Sequence, residues 1–433
     1  MESEVCAEIE RTQDRLFDFL EELVAAKSLS GKEQPGQEVV LDRLRESDGD
    51  LEIDTWEPSA SNLESHPGFT ETVTYEEYGY EGRENVVATL PGTDPENGRS
   101  LAFSGHIDVV TPEPVADWSY DPWDATIEDG RMYGRGTMDM KGGIAAFVHA
   151  YEVLESLGVE LEGDLLLQTT IEEEAGGVGG VLSALERGYQ PDAAIIPEPF
   201  QLPNVGIAGA GVMYFRITVP GKAAHTARKY RGVNAIGNAT TIYRALEKLD
   251  EERRERISYE PAVRKDPEAE GSVTNLSVSV AESGDWVSKV PGEAVLTGRI
   301  GWPPGERSED VRQEVTDAVM SAAEDDPWLA EHEPEIEWFG WDADPHEIDT
   351  DEEIVQLATT HAERTTGGET SYVGGLGGLD ERFYALYYDI PAISVGPRGW
   401  GGHGADEYVE LDSLVETAQT LALTAMEWCG TED

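Results

Sequence analysis

Five short runs are apolar at nearly every position: Val86-Val-Ala-Thr-Leu90, Leu101–Phe103, Leu165-Leu-Leu167, Ala193-Ala-Ile-Ile196 and Ala392-Ile-Ser-Val395. A strand with no polar face has to be covered on both sides. Helical spacing between several of the runs, as in Ile144–Leu157 and Gly180–Arg187, supplies that cover. The pattern predicts an α/β fold with a mainly parallel sheet flanked by helices. Helical spacing also runs over 5–27 (Val5, Ile9, Leu16, Leu20, Leu23, Val24) and Gln37–Arg45, while the polar stretch Glu57–Gly82 reads as an irregular loop or hairpin.

From about residue 209 the period changes. Tyr214–Val219 alternates, Asn234–Leu249 is helical, Thr274–Val280 and Ala294–Ile300 alternate, Ser308–Ala323 is helical and Glu335–Trp338 is strand-like. The order β-α-β-β-α-β predicts a ferredoxin-like α+β insertion. The expected organisation is a sheet domain in two parts, 1–208 and 342–433, interrupted by an inserted domain over 209–341. A chain of 433 residues has room for both.

Charge narrows the function. Lys and Arg total 31 against 88 Asp and Glu, a formal −57. A nucleic-acid groove needs clustered basic residues, and an anionic membrane surface would repel this chain, so neither partner is expected. The acidic residues are spread along the whole length, which predicts a globular, salt-adapted (halophilic) protein rather than a disordered acidic tail. Cys6 and Cys429 lie near opposite ends without a CxxC pattern and read as free thiols of a reducing compartment. The start, Met1-Glu-Ser-Glu-Val-Cys6, lacks a basic, apolar leader, and no apolar stretch reaches the ~18 residues of a spanning helix. The expectation is a soluble cytoplasmic protein.

The chemistry-bearing residues follow the apolar runs. His106 and Asp108 stand in Ser104-Gly-His-Ile-Asp108, and Asp139 in the glycine-dense Gly134-Arg-Gly-Thr-Met-Asp-Met-Lys-Gly-Gly143. Glu172-Glu-Glu174 follows the third run, Glu198 lies in Pro197-Glu-Pro199, and His403 in Gly401-Gly-His-Gly-Ala-Asp-Glu407. In open α/β sheets the site lies beyond the carboxyl ends of the strands. Two histidines with several carboxylates there suit a pair of divalent metals. Asp139, at the end of its turn, is the best candidate for a bridging carboxylate. Asp108 is placed to accept the second ring N–H of His106. Of the neighbours Glu173 and Glu174, one can bind a metal while the other acts as a base. Singly, these residues have plain readings. Glu172–Glu174 alone is a solvated acidic run, Glu198 a loop charge, and His66, His149, His332, His346 and His361 are structural or solvated histidines. The specific signal is the set in this order at strand ends.

Those phrases, in that order, resemble the M20 metallopeptidase family from about residue 10 to 428. The resemblance implies one zinc held by His106, Asp139 and Glu198 and a second held by Asp139, Glu174 and His403. Asp139 would bridge them, Glu173 would be the general base, and cobalt or manganese would be substitute metals. It further implies that the insertion is a dimerisation or lid domain, so that a homodimer is expected. His225, in Gly221-Lys-Ala-Ala-His-Thr226, would stabilise the oxyanion in a neighbouring active site. Arg299, with Asn275, would contact substrate. Glu172 stands where many relatives have Asp, and Ser288 where many have Asn, which leaves the metal ligands unchanged and bears on substrate contacts. Trp56-Glu-Pro58, Gly284-Asp-Trp286 and Gly298-Arg-Ile-Gly301 look most like members that act on acetylornithine or formylaminopyrimidines.

The leading expectation is a di-zinc amidohydrolase that removes a small acyl group from an N-acylated amino acid or amine. The alternatives are an exopeptidase or a formylaminopyrimidine deformylase using the same metals. A metal-free relative acting as a transferase or binding module belongs to another class, and should have lost ligands or the base. Here every one of those positions carries a suitable residue.

Overall fold

The runs apolar on both faces do form one sheet, and helices cover both its sides. In the computed structural model, which describes residues 1–47 and 49–431, the sheet runs Glu52–Trp56, Asn85–Leu90, Leu165–Thr170, Leu101–His106, Ala193–Ile196, Ala392–Ser394, Val205–Gly209 and His346–Glu347. Its centre, from Leu165–Thr170 to Ala392–Ser394, is parallel, and Tyr372–Gly374 adds a further parallel pairing to Val205–Gly209. The pairings of Glu52–Trp56 with Asn85–Leu90 and of Asn85–Leu90 with Leu165–Thr170 are antiparallel.

Side-chain alternation divides the core. Ala102, Leu166 and Ala194 meet Leu182, Leu185, Phe383 and Tyr384 on one face. Phe103 points the other way and stacks on Phe147 of the buried helix Gly142–Ser156, at 6.2 Å between ring centres. That helix packs against Leu411–Cys429, whose residues are almost all buried. Each fully buried Phe or Leu contributes about 1.5–3 kcal/mol over exposure, so the sheet ends that carry the candidate ligands rest on a rigid base.

Two local expectations need correction. The helical spacing over 5–27 belongs to two helices, Glu2–Arg11 and Gln13–Ala25. They part at Thr12, whose hydroxyl and main-chain N–H both bond to the Glu8 carbonyl, at 2.7 and 3.0 Å. The stretch Glu57–Gly82 holds two short helices, Ala60–Leu63 and Val73–Tyr78, the second capped by the Thr72 hydroxyl accepting from Tyr75 N–H at 3.0 Å. Neither is long enough to show a period in sequence.

The chain divides into two compact units. The first comprises Met1–Ala208, Glu347–Gly374 and the chain from Leu379 onward; the second comprises Gly209–His346 with Gly375–Gly378. In the second unit, Asn275–Ser283, Glu293–Trp302, Gly211–Pro220 and Glu335–Ala343 lie in that spatial order, all antiparallel. Helices Ala235–Arg256 and Ser308–Glu324 cover one face through Ile242, Leu246, Val311, Val315 and Val319 against Phe215, Ile217 and Leu296. This is the ferredoxin-like arrangement. There the fully buried Arg253 is matched by Glu306 at 2.7 Å and by Glu314. Among the described residues no helix is long and apolar enough to cross a membrane, and Cys6 and Cys429 are free thiols.

Candidate metal centre

His106 is the last residue of the strand Leu101–His106, and its ring is buried. Nδ1 lies 2.9 Å from the main-chain oxygen of Asp108, and the Asp108 carboxylate is farther away, at 3.6 Å. The carbonyl, rather than the expected carboxylate, is therefore the closer acceptor. The carboxylate is engaged elsewhere: Ser30 Oγ donates to it at 2.8 Å, Glu173 N–H at 3.2 Å and Glu174 N–H at 3.4 Å. Asp108 thus ties the end of one strand to the acidic turn after another.

With Nδ1–H committed to a carbonyl, His106 turns Nε2 toward Asp139 Oδ1 at 3.2 Å, Glu198 Oε1 at 3.4 Å and Glu173 Oε2 at 4.0 Å. A neutral ring would present a lone pair to these carboxylates, so positive charge has to sit between them. Burial works against a charged ring, yet the carboxylates of Asp108, Asp139 and Glu198 hold His106 well above the usual imidazole value.

Asp139 lies in the turn Thr137–Lys141, where it and Met140 depart from helical geometry and the peptide joining them is cis. Its other oxygen, Oδ2, is 3.3 Å from Nε2 of His403, which Glu174 Oε2 approaches to 2.9 Å. Asp139 therefore offers one oxygen to each imidazole. Despite burial, the two imidazoles hold its carboxyl well below the usual range. His403, on an exposed loop with φ +63°, is pushed up to about 10 by Asp139 and Glu174. Burial and the Asp139 charge push Glu174 up to about 7, with His403 pulling the other way.

These atoms form two sets, His106–Asp139–Glu198 and Asp139–Glu174–His403, each with its ligand atoms within 4.8 Å of one another. The sets are those implied by the resemblance. Three tests of fit agree. The donors are imidazole nitrogens and carboxylate oxygens, which suit a borderline divalent metal. Glu174 Oε1 is buried with no hydrogen-bond partner. Four carboxylates (Asp139, Glu173, Glu174 and Glu198) converge there, the charge that two dications would balance.

Glu173 stands beside the first set without belonging to either. Burial, together with Asp380, Glu198 and Glu174, raises its carboxyl well above the usual range, against the pull of His106. The turn that carries it starts at Glu172, a buried glutamate in left-handed geometry at φ +71°. Glu172 accepts from Thr72 Oγ1 at 2.8 Å and pairs with Arg83 at 3.1 Å, and Arg83 bonds to Glu33 at 2.6 and 2.8 Å. Sequence reading missed Arg83 and Glu33. They carry no motif, and only burial marks them.

The remaining candidates, His225, Arg299 and Asn275, lie in the second unit, whereas the metal-ligand candidates, Glu173 and Asp108 all lie in the first. His225 is exposed, with Nδ1 accepting from Ala227 N–H at 3.1 Å. Arg299 sits opposite Tyr214 and Ser277, and its Nε has no hydrogen-bond partner. Asn275 pairs in register with Gly301.

Residues 102–427 match the profile of peptidase family M20/M25/M40. The chain belongs to this family. It is a hydrolase of the M20 type, and its two ligand sets mark it as metal-binding. It is 29% identical over 367 residues to N-formyl-4-amino-5-aminomethyl-2-methylpyrimidine deformylase of Halalkalibacterium halodurans, covering 81% of this chain and 84% of the relative. Among solved structures, the dipeptidase Dug1p of Saccharomyces cerevisiae superimposes with a TM-score of 0.76 at 14% identity, covering 99% and 98% of the two chains. Bacillus subtilis YXEP, a dinuclear metal-binding peptidase of the M20 family, superimposes with a TM-score of 0.65 at 17% identity, covering 98% and 100%. At such identities the two structures speak for the fold.

Proposed function

We propose that this M20 hydrolase cleaves the amide bond of a small N-acyl amine, releasing a carboxylic acid and the free amine, with formyl the first acyl group to test. The observation that carries this reading is Asp139, which offers one oxygen toward each of His106 and His403 while Glu173 stands 4.0 Å from His106. When bound, two divalent metals, of which zinc suits the mixed donors best, supply Lewis acidity to the attacking water and the substrate carbonyl. His106, Asp139 and Glu198 would hold one, and Asp139, Glu174 and His403 would hold the other. Glu173 takes a proton from the attacking water and delivers it to the nitrogen as the C–N bond breaks. For Arg299 and Asn275, which lie in the second unit, the family resemblance alone supports a substrate contact.

The choice of formyl is supported by the deformylase likeness, which spans four fifths of the chain. The test is a panel of N-formyl aminopyrimidines, N-acetylornithine, other N-acyl amino acids and dipeptides, assayed at high salt with added zinc or cobalt. The reading expects kcat/KM on a formylated amine to exceed that on every dipeptide by about tenfold or more. A dipeptide as the best substrate would overturn it in favour of an exopeptidase.

A further inference from the structure

The two ligand sets are supported differently. His106 ends a central strand and Glu198 closely follows another, so the sheet fixes both. His403 sits on a loop, with its side chain 55% exposed. Beneath that loop lies a buried ion pair with no part in either set. Glu407 is fully buried and Arg135 is 2% exposed. Arg135 Nη1 bonds to Glu407 Oε2, and the other carboxylate oxygen accepts the main-chain N–H groups of Met138 at 3.0 Å and Asp139 at 3.2 Å. Arg135 Nη2 donates at 3.0 Å to the carbonyl of Gly404, the residue after His403. Gly134 N–H closes the figure by donating to the Glu407 carbonyl at 2.9 Å. Small antiparallel strands, Arg131–Tyr133 and Tyr408–Glu410, bring the two segments together.

We infer that Arg135 and Glu407 are positioning residues that lock the His403 loop to the Asp139 turn and thereby set the affinity of the Asp139–Glu174–His403 site, leaving the His106–Asp139–Glu198 site largely unaffected. The pair grips both segments at the main chain: Glu407 at the two N–H groups up to and including the bridging ligand, Arg135 at the carbonyl beyond the loop histidine. A carboxylate that accepts two main-chain N–H groups while pairing with a guanidinium has no slack, so moving one segment moves the other. Without the pair, the second site keeps Glu174, but its histidine stands on a loop no longer tied to the Asp139 turn, held instead through Asp406, which accepts from Ser119 N–H at 2.6 Å and Ser119 Oγ at 2.8 Å. The first site keeps two ligands anchored by the sheet.

This rests on the two-metal reading, and the experiment separates the two. Full-length wild-type and Glu407→Gln chains are loaded with cobalt(II), dialysed against graded chelator, and read by bound cobalt per chain and by the cobalt absorption bands. Wild type should hold two ions. Glu407→Gln should lose one ion at about 10–100-fold less chelator than wild type, the usual scale for outer-shell partners, while the second ion is retained within about threefold and excess cobalt restores turnover. Arg135→Lys keeps the charge but cannot serve Glu407 and Gly404 together. It should show the same selective loss, and it decides the matter if Glu407→Gln does not fold. Equal weakening of both ions, or no weakening, overturns the positioning role. Fewer than two ions in wild type overturns the two-metal reading itself.

Discussion

The Asp108 carboxylate accepts the main-chain N–H groups of Glu173, at 3.2 Å, and Glu174, at 3.4 Å. A residue two places from the proposed ligand His106 thus fixes both the proposed base and a proposed ligand of the other set. Asp108→Asn keeps the volume but loses the charge and one acceptor. Its kcat on the best acyl amine should fall about 10–100-fold with metal at saturation, and KM should change little. An unchanged kcat would mean that the turn holds without Asp108.

Glu173→Gln addresses the base. The amide keeps the shape but cannot take a proton, so turnover should drop about 10²–10⁴-fold. Metal content should stay near wild type, because Glu173 belongs to neither ligand set. Wild-type turnover in a fully metallated Glu173→Gln chain would remove Glu173 from the mechanism.

Much of this centre was legible in the sequence because its members sit at predictable places. His106 ends an apolar run, Glu198 follows another, and Asp139 lies among glycines that permit a tight turn. Periodicity likewise exposed the ferredoxin-like unit, since its strands alternate and its helices are long. The supporting charges were another matter. Arg135 and Glu407 lay inside quoted motifs yet drew no role, and Arg83 and Glu33 drew no notice at all. In a chain with 88 acidic residues a buried glutamate looks like any surface one until its neighbours are known. Thr12 and the helix over Val73–Tyr78 were missed for a different reason: single side-chain-to-backbone bonds define them, and such bonds leave no periodic trace.

His225 tests the pairing of two chains that the family resemblance implies. As an oxyanion donor supplied to a neighbour, it should cost about 10²–10³ in turnover when replaced in His225→Ala, with metal content unchanged. Mixing His225→Ala with Glu173→Gln chains should restore activity, since a hybrid dimer contains one site with both residues intact. No recovery in verified mixed dimers would exclude the role in trans.

Salt should matter for stability. With a formal −57, surface carboxylates repel over a screening length that grows from ~3 Å at 1 M to ~10 Å at 0.1 M salt. Thermal midpoints in KCl should fall steadily as the salt is lowered through that range. A flat midpoint would contradict the salt-adapted reading.

Whether Asp139 serves both sites is read from metal stoichiometry. After equilibration with zinc and gel filtration, wild type should retain two ions per chain, while His403→Ala and Glu198→Ala should each retain about one. Asp139→Ala should retain less than one and lose hydrolysis of the acyl amine, because each site loses a ligand in the same substitution. Two ions still tightly held by a folded Asp139→Ala chain would contradict the bridging role and the two-metal account with it.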